Sequence, residues 1–456
     1  MKILLTVHQF FPQYAAGTEV LTYSVAKELL ARGHEVRVLT ASPTEKPMRD
    51  DERFDEYQYE DIHVYRFYHA YAPMGGQSSM VELSFDNHLA AGFFGEILGG
   101  FKPDIVHFFH LDRLGTGLIE LAVQAGIPAF MTPTDFWSIC PTGQLLLDDG
   151  ALCSGPDRYS GNCVKHFAMN PKLGAVSRLA KYVPSLAVDV LVRLTQASRL
   201  PTYPHRIEVS AIGSRLAKNM ARLNQLSGIV SPNAFMTNKL VQYGVSPNLI
   251  APLAFGINLP EASKDLVRPK PRHPFRIGFI GTLIQHKGCH VLLEAFGLLP
   301  PGIAVLKIYG NPDEVPEYVG KLKHLSADRD DIEFCGTFGN QMITEKLMDV
   351  DVLVVPSLWF ENTPLVLYSA QAARCPVIAS NFPGISEVIK HDVNGLLFEA
   401  GDSSGLATNL LQMIRVPGLA ERLSANSVKP NSIGTYVDRL LSFWSARSSS
   451  LGISSD

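Results

Sequence analysis

The sequence predicts an α/β protein built from two doubly wound parallel sheets. Three observations carry this. The chain has 456 residues, more than one hydrophobic core usually serves, so two domains of about 200 residues are expected. Apolar residues make up 46% and charged residues 18%, the balance of a folded, core-rich chain. Apolar runs of strand length alternate with helical patterns twice along the chain, the rhythm of a parallel sheet covered on both faces by helices.

The first block opens with "KILLTV" (2–7) as a strand, a loop through Gly17, the helix "TEVLTYSVAKELLARG" and the strand "HEVRVLT". "HVYRF" (63–67), "PDIVHFF" (103–109) and "IPAFMTP" (127–133) are further strands, with a helical pattern at 115–125. Residues 136–225 break the rhythm: a stretch with cysteines is followed by a long helical one. The second block reads "FRIGFIG" strand, "KGCHVLLEAFGLL" helix, "AVLKIYG" and "IEFCG" strands, "ITEKLMDV" helix, "VLVVPS" strand, "PLVLYSAQAARC" helix, "PVIAS" strand and "ISEVIKH" helix. "PEASKDLVRPKPRHPF" (260–275), rich in Pro and charge, is the expected linker. The expected domains are 1–260, carrying the 136–225 insertion, and 274–430. In 431–456 a helix at 432–446 docks back on the first domain, and "SSSLGISSD" is a tail.

Composition excludes several classes. A net charge of −4 gives no reason to expect nucleic-acid binding. "MKILLTVHQFF" has no long apolar region or cleavage site and reads as a strand, not a signal peptide. No run approaches the roughly 20 apolar residues of a membrane span, so a cytoplasmic protein is expected, at most resting on the inner face of the membrane. The segment 172–200 holds Lys172, Arg178, Lys181, Arg193 and Arg199 against Asp189 alone. It reads either as an ordinary solvated helix face or as a basic amphipathic surface for peripheral contact with anionic lipid.

Two sheets of this kind bind ligands beyond the carboxyl ends of their strands. Gly17, at the first strand-to-helix turn, admits a ligand close to the backbone and to the free N–H groups of the helix start; a tight turn is the plainer explanation. Lys287, at the turn of "GTLIQHKGCH", is suited to a diphosphate, though a solvated lysine is the commoner fate. Glu361 follows "VLVVPSLW" at a strand's carboxyl end, with a helix start at Pro364 whose N–H groups suit phosphate oxygens. Together they describe a nucleotide-sugar site: Lys287 and amides for the diphosphate, Glu361 for sugar hydroxyls.

The ordered set "GTEVLTYSVAKELLARGHEVRVLT", "PDIVHF", "IGFIGTLIQHKGCHVLLEAF", "WFENTPLVLYSAQAARCPVIASNFPGISEVI" and "DVNGLLF" resembles glycosyltransferase family 4, the bacterial group 1 glycosyl transferases of GT-B fold. The resemblance covers nearly the whole chain. It implies two Rossmann-like domains facing across a cleft, acceptor side first and nucleotide-sugar side second. It implies transfer from a UDP- or GDP-sugar to a carbohydrate, lipid-linked or other hydroxyl acceptor, with retention at the anomeric carbon and no metal required. Glu361, Lys287 and Asp135 are then the catalytic candidates. Gly17, Thr282, Lys287, Glu361, Asn362, Thr363, Pro364, Leu365, Val366 and Ser369 are the donor-binding candidates.

The departures from the family pattern are specific. Glu361 fills the first place of Glu–x7–Glu, and Ser369 stands where the second acid grips ribose, a loss of about 1.5–3 kcal/mol if nothing replaces it. Thr282 stands where Arg often supports the lysine, Thr134 where His often precedes Asp135, and Arg374 where Gly is usual. These substitutions support a rival reading, a catalytically weakened GT-B protein that scaffolds polysaccharide assembly. Finally, Cys140, Cys153, Cys163 and His166 lie within 27 positions, the last two as C-x2-H. Three thiolates and an imidazole suit structural zinc; unpaired structural cysteines are the alternative reading.

Overall fold

The computed structural model describes residues 1–170, 175–259 and 268–450. Part of the expected linker (260–267), Lys172 and residues 451–456 of the expected tail lie outside the described residues. The chain divides into two compact units. Unit 1 comprises Met1–Pro232, Met236–Ala254 and the chain from Val437; unit 2 comprises Asn233–Phe235 and Phe255–Tyr436. The division at Phe255 precedes the Pro-rich stretch read as a linker.

Unit 1 runs β1 (Lys2–Val7), α1 (Gly17–Ala31), β2 (Glu35–Pro43), β3 (Phe54–Tyr59), β4 (Ile62–His69), α2 (Met80–Phe85), α3 (His88–Phe101), β5 (Ile105–Phe108), α4 (Gly117–Gln124) and β6 (Ala129–Met131). The segment without βα rhythm is helical: α5 (Gly161–Ala168), α6 (Ala175–Ala180), α7 (Ser185–Gln196) and α8 (Arg206–Leu223). Then come β7 (Gly228–Ser231), α9 (Ala234–Gln242) and β8 (Ile250–Pro252). The sheet order is β3-β4-β2-β1-β5-β6-β7-β8, parallel except where β3 pairs antiparallel with β4. In β1 all five residues from Ile3 to Val7 are buried, because helices cover both faces. The edge strand β3, "FDEYQY", leaves no residue fully buried and carries no apolar run to announce it.

Unit 2 runs β9 (Gly256–Ile257), β10 (Phe275–Ile280), α10 (Cys289–Gly297), β11 (Ala304–Tyr309), α11 (Pro316–Leu325), β12 (Ile332–Gly336), α12 (Ile343–Met348), β13 (Val352–Val355), α13 (Leu365–Ala372), β14 (Val377–Ser380), α14 (Pro383–Ser386), β15 (Gly395–Phe398), α15 (Ser403–Arg415), α16 (Leu419–Ala425) and β16 (Asn431–Ser432). The order β12-β11-β10-β13-β14-β15 is parallel throughout. In β13 the alternation is direct: Val352 and Val354 enter one core with Ile277, Leu292 and Leu306. Leu353 and Val355 enter the other with Leu367 and Ala379. Each such side chain contributes about 1.5–3 kcal/mol of burial. The helix expected at 385–391 is cut to a short turn, α14. There Asn394 Oδ1 accepts from Lys390 N at 2.7 Å and its Nδ2 donates to Val388 O at 3.0 Å, tying the chain off before β15.

The last helix, α17 (Ile433–Ser450), joins unit 1 from Val437 onward. Trp444 is fully buried, its ring 5.4 Å from His107 and 6.2 Å from Phe130. Its indole N–H donates to His107 Nδ1 at 3.2 Å. Among the described residues no helix is long and apolar enough to cross a membrane.

Candidate active site

In each sheet the order of the parallel strands reverses direction once. The reversal falls between β1 and β5 in unit 1 and between β10 and β13 in unit 2. Loops leaving two neighbouring strands in opposite directions open a crevice at their carboxyl ends, where open α/β sheets take their ligands.

In unit 2 that crevice holds Lys287 and Glu361. Glu361 is buried and its Oε1 accepts from Lys287 Nζ at 2.7 Å and from Ser357 Oγ at 2.7 Å. Burial pushes this carboxyl upward, but the Lys287 charge and the hydrogen bonds from Lys287 and Ser357 outweigh it and hold it below the ordinary value. Lys287 Nζ also lies 5.1 Å from the centre of the Trp359 ring. Next to it, burial and the Lys287 charge bring His286 down to about 4, so it is neutral near pH 7.

Backbone approach fixes this geometry. Gly288 has φ +72°, and a Cβ there would lie 1.8 Å from Pro356 O. A Cβ on Gly384 would lie 1.9 Å from Glu361 O. Leu358 N donates to His286 O at 2.8 Å. Two glycines thus let two turns close on the 356–363 loop from either end. Thr363 takes φ +59° and is held by its hydroxyl, which donates to Gly384 O at 3.0 Å and accepts from Asn233 Nδ2 at 3.1 Å. Asn233 Nδ2 also donates to Asn362 Oδ1 at 2.8 Å.

Pro364 caps α13 instead of starting it; Leu365 is the first helical residue, followed by Val366. Ser369 Oγ donates to Leu365 O at 3.2 Å, back onto its own helix. Thr282 sits in the turn after β10, its carbonyl accepting from Ile284 N at 3.0 Å. Arg374, at the position where Gly is usual, has φ +51°. It closes α13 with Cys375 N donating to Ala370 O and Arg374 N to Gln371 O, the helix ending that favours glycine.

The unit 1 crevice joins Asp135, expected from the sequence, to three side chains that sequence reasoning missed: His8, Glu19 and His110. His8 follows β1, and its ring lies 4.1 Å from that of His110, which follows β5. His110 Nε2 lies 3.0 Å from Asp135 Oδ2, and Asp112 N donates to His110 Nδ1 at 3.1 Å. In the neutral ring the amide contact makes Nδ1 the acceptor, so Nε2–H donates to Asp135. Burial opposes charge on this ring, but Asp135 outweighs it and raises its pKa. Glu19, in the first turn of α1, lies 3.6 Å from His8 Nε2. Burial pushes the Glu19 carboxyl up; burial, with the His110 charge second, pushes His8 well down. The available signal was a histidine just past the end of each of two apolar strands.

Thr134, standing where His is usual, donates to Phe109 O at 3.3 Å. The imidazole missing at that position is instead present beside Asp135, supplied by β5's loop. The 135–139 loop is gripped by α8. Arg215, fully buried, donates to Ile139 O at 3.1 Å and to Trp137 O; Asn219 Nδ2 donates to Ser138 O at 3.0 Å. Gly17 begins α1 with an ordinary φ, and nothing lies within 4 Å of a Cβ placed on it. No turn there requires glycine.

Cys140, Cys153, Cys163 and His166 line one cavity of about 360 Å³. They are not assembled as the zinc ligand set expected from their spacing. Among the described residues no group of three or more His, Cys, Asp or Glu side chains is gathered to hold a metal ion. His166 Nε2 lies 3.0 Å from Asp148 Oδ1, Cys140 Sγ lies 3.2 Å from Thr142 Oγ1, and Cys153 Sγ accepts from Gly155 N at 3.4 Å.

Residues 274–415 match the family described as glycosyl transferases group 1, and residues 16–162 the glycosyl transferase 4-like domain; together these cover more than half of the chain. The amylovoran biosynthesis glycosyltransferase AmsK of Erwinia amylovora is 31% identical over 186 residues, 39% of this chain and 44% of that protein. The phosphatidyl-myo-inositol mannosyltransferase of Mycobacterium leprae is 30% identical over 165 residues, 34% of this chain and 41% of that protein. The chain thus spans less than half the length of these curated relatives. Among solved structures, Anabaena HepE in complex with UDP and glucose superposes with a TM-score of 0.60 at 15% identity, covering 98% of this chain and 100% of that one. This likeness shows the GT-B fold.

Proposed function

Because this chain belongs to the glycosyl transferases of group 1, we propose that it moves a sugar from a nucleoside-diphosphate sugar to a hydroxyl acceptor with retention of anomeric configuration. The observation that carries this is the Lys287–Glu361 pair buried in the crevice between β10 and β13. The pair combines a cation for the donor diphosphate with an acceptor-only carboxylate for sugar hydroxyls. Charge held in place before the donor arrives stabilises a leaving diphosphate without reorganisation. The UDP and glucose named in the HepE complex support a UDP-sugar; a GDP-sugar fits the same groups. The acceptor is a carbohydrate or a lipid-linked saccharide, and the work is done on the cytoplasmic side of the envelope.

In this reading the anomeric carbon–oxygen bond to the diphosphate breaks as the bond to the acceptor oxygen forms on the same face. The acceptor proton passes to the departing phosphate oxygen, so no protein base is required. Amides of Thr363, Leu365 and Val366 assist Lys287 at the diphosphate, with Thr282 giving the donor room. Asn362 and Pro364 shape the loop. Asp135, through His110, orients the acceptor. The carbonyl-bonded Ser369 hydroxyl favours the second reading, a weakened enzyme retained as a scaffold, because it offers ribose less than an acid would.

A thermal-shift titration with UDP, GDP, ADP and their sugar conjugates separates the two. A ligand at 100 times its dissociation constant adds about 2.7 kcal/mol of stability. A shift with one nucleotide, followed by release of its sugar to water or acceptor, supports transfer. A flat response from folded protein to every nucleotide supports the scaffold.

A further inference from the structure

The outer side of α6 and α7 combines exposed apolar side chains with unopposed positive charge. Leu179 is 68% exposed, Tyr182 86% and Leu186 77%; Val176 and Val190 are exposed as well. These five fall within 15 consecutive positions, a concentration that monomeric proteins keep for an interaction surface. The helix α7 is apolar on two sides. Val188 and Val192 face the core formed with Cys163, Val164, Val209 and Ile212. Leu186, Val190 and Arg193, spaced i, i+4 and i+7, lie on the exposed side.

The charges are equally one-sided. Arg178, Lys181, Arg193 and Arg199 are exposed. The sole acid between 175 and 200, Asp189, is turned inward, where its Oδ1 accepts from Gly161 N at 2.8 Å at the start of α5. No carboxylate of these two helices therefore answers the cations on the outer side.

We infer that Val176–Val190, with Arg178, Lys181 and Arg193, is a membrane-docking surface that beds Leu179, Tyr182 and Leu186 among the headgroups of an anionic bilayer. Charge complementarity selects this occupant: aliphatic and aromatic side chains enter the acyl boundary while arginine and lysine meet anionic headgroups. The inference does not depend on the transferase reading. A protein without activity binds vesicles by the same surface.

The test is co-sedimentation of the full chain with vesicles of phosphatidylcholine alone or mixed equally with phosphatidylglycerol. Binding is expected on the anionic vesicles only, and weakened by salt. Arg178→Gln with Lys181→Gln should weaken it by about 25-fold, and Leu179→Ser with Leu186→Ser by about a hundredfold. Both variants change exposed positions and should keep the wild-type melting temperature. Three results overturn the inference. They are no binding to anionic vesicles, undiminished binding by folded variants of both kinds, or a lipid-free oligomer that the Leu179→Ser, Leu186→Ser variant dissociates, which would make this face a contact between copies of the chain.

Discussion

The two crevices occupy equivalent places in their sheets and are held by different means. In unit 2 the site is shaped by backbone: Gly288 and Gly384 let neighbouring turns approach the 356–363 loop to distances no side chain permits. One ion pair then fills the space. In unit 1 the site is shaped by side chains. Arg215 and Asn219 of α8 grip the 135–139 loop, and His110 is fixed by Asp112 N and Asp135. A backbone-built site tolerates almost no substitution at its glycines. A side-chain network loses its members one at a time, and its charges titrate.

The largest effect should come from Gly288→Ala. The added Cβ meets Pro356 O in a left-handed turn, at a cost of about 3 kcal/mol. Denaturant melts should show unit 2 weakened and unit 1 unchanged; equal loss in both would break the comparison. Next, Glu361→Gln should lower turnover by about a hundredfold while leaving nucleotide affinity within a few-fold. Near-normal turnover would remove Glu361 from the chemistry.

The pH responses should run in opposite directions. Glu361 is held below its ordinary value of 4.5. Its stabilisation is present above that value and lost as pH falls through the folded one. His110 is raised above 6.5, so its contribution is full below that value and lost as pH rises through the folded one. Asp135→Asn should therefore cost about 1–2 kcal/mol just below pH 6.5 and progressively less in alkali. Glu361→Gln should cost most near neutrality and least in acid. Melting temperatures across pH for the two variants check this, and parallel profiles would refute it. The smallest effect has the opposite sign. Arg374→Gly relieves φ +51° and should stabilise unit 2 by about 0.5–1 kcal/mol. A loss would mean that the arginine side chain contributes more than its backbone costs.

Most of unit 2 was legible because its strands are unbroken apolar runs between turn signals. "VLVV" and "PVIAS" lead straight to β13 and β14. Lys287 and Glu361 were found because each follows such a run. The helix expected at 385–391 failed because apolar spacing alone does not reveal an asparagine that bonds across the chain and stops it. Sequence spacing counts residues, whereas coordination needs side chains that converge, and in the structure His166 is directed to Asp148.

The two-sheet α/β architecture, the family and the two charged residues of the unit 2 crevice were all readable from the residues in order. Strand burial and turn chemistry are local properties, written in consecutive residues. It took the folded chain to show that Lys287 and Glu361 are each other's counter-ion, that Asp189 faces inward, and that His110 meets Asp135 across 25 positions of chain. Those pairings depend on strand order, and strand order is settled by packing whole elements together rather than by any segment alone.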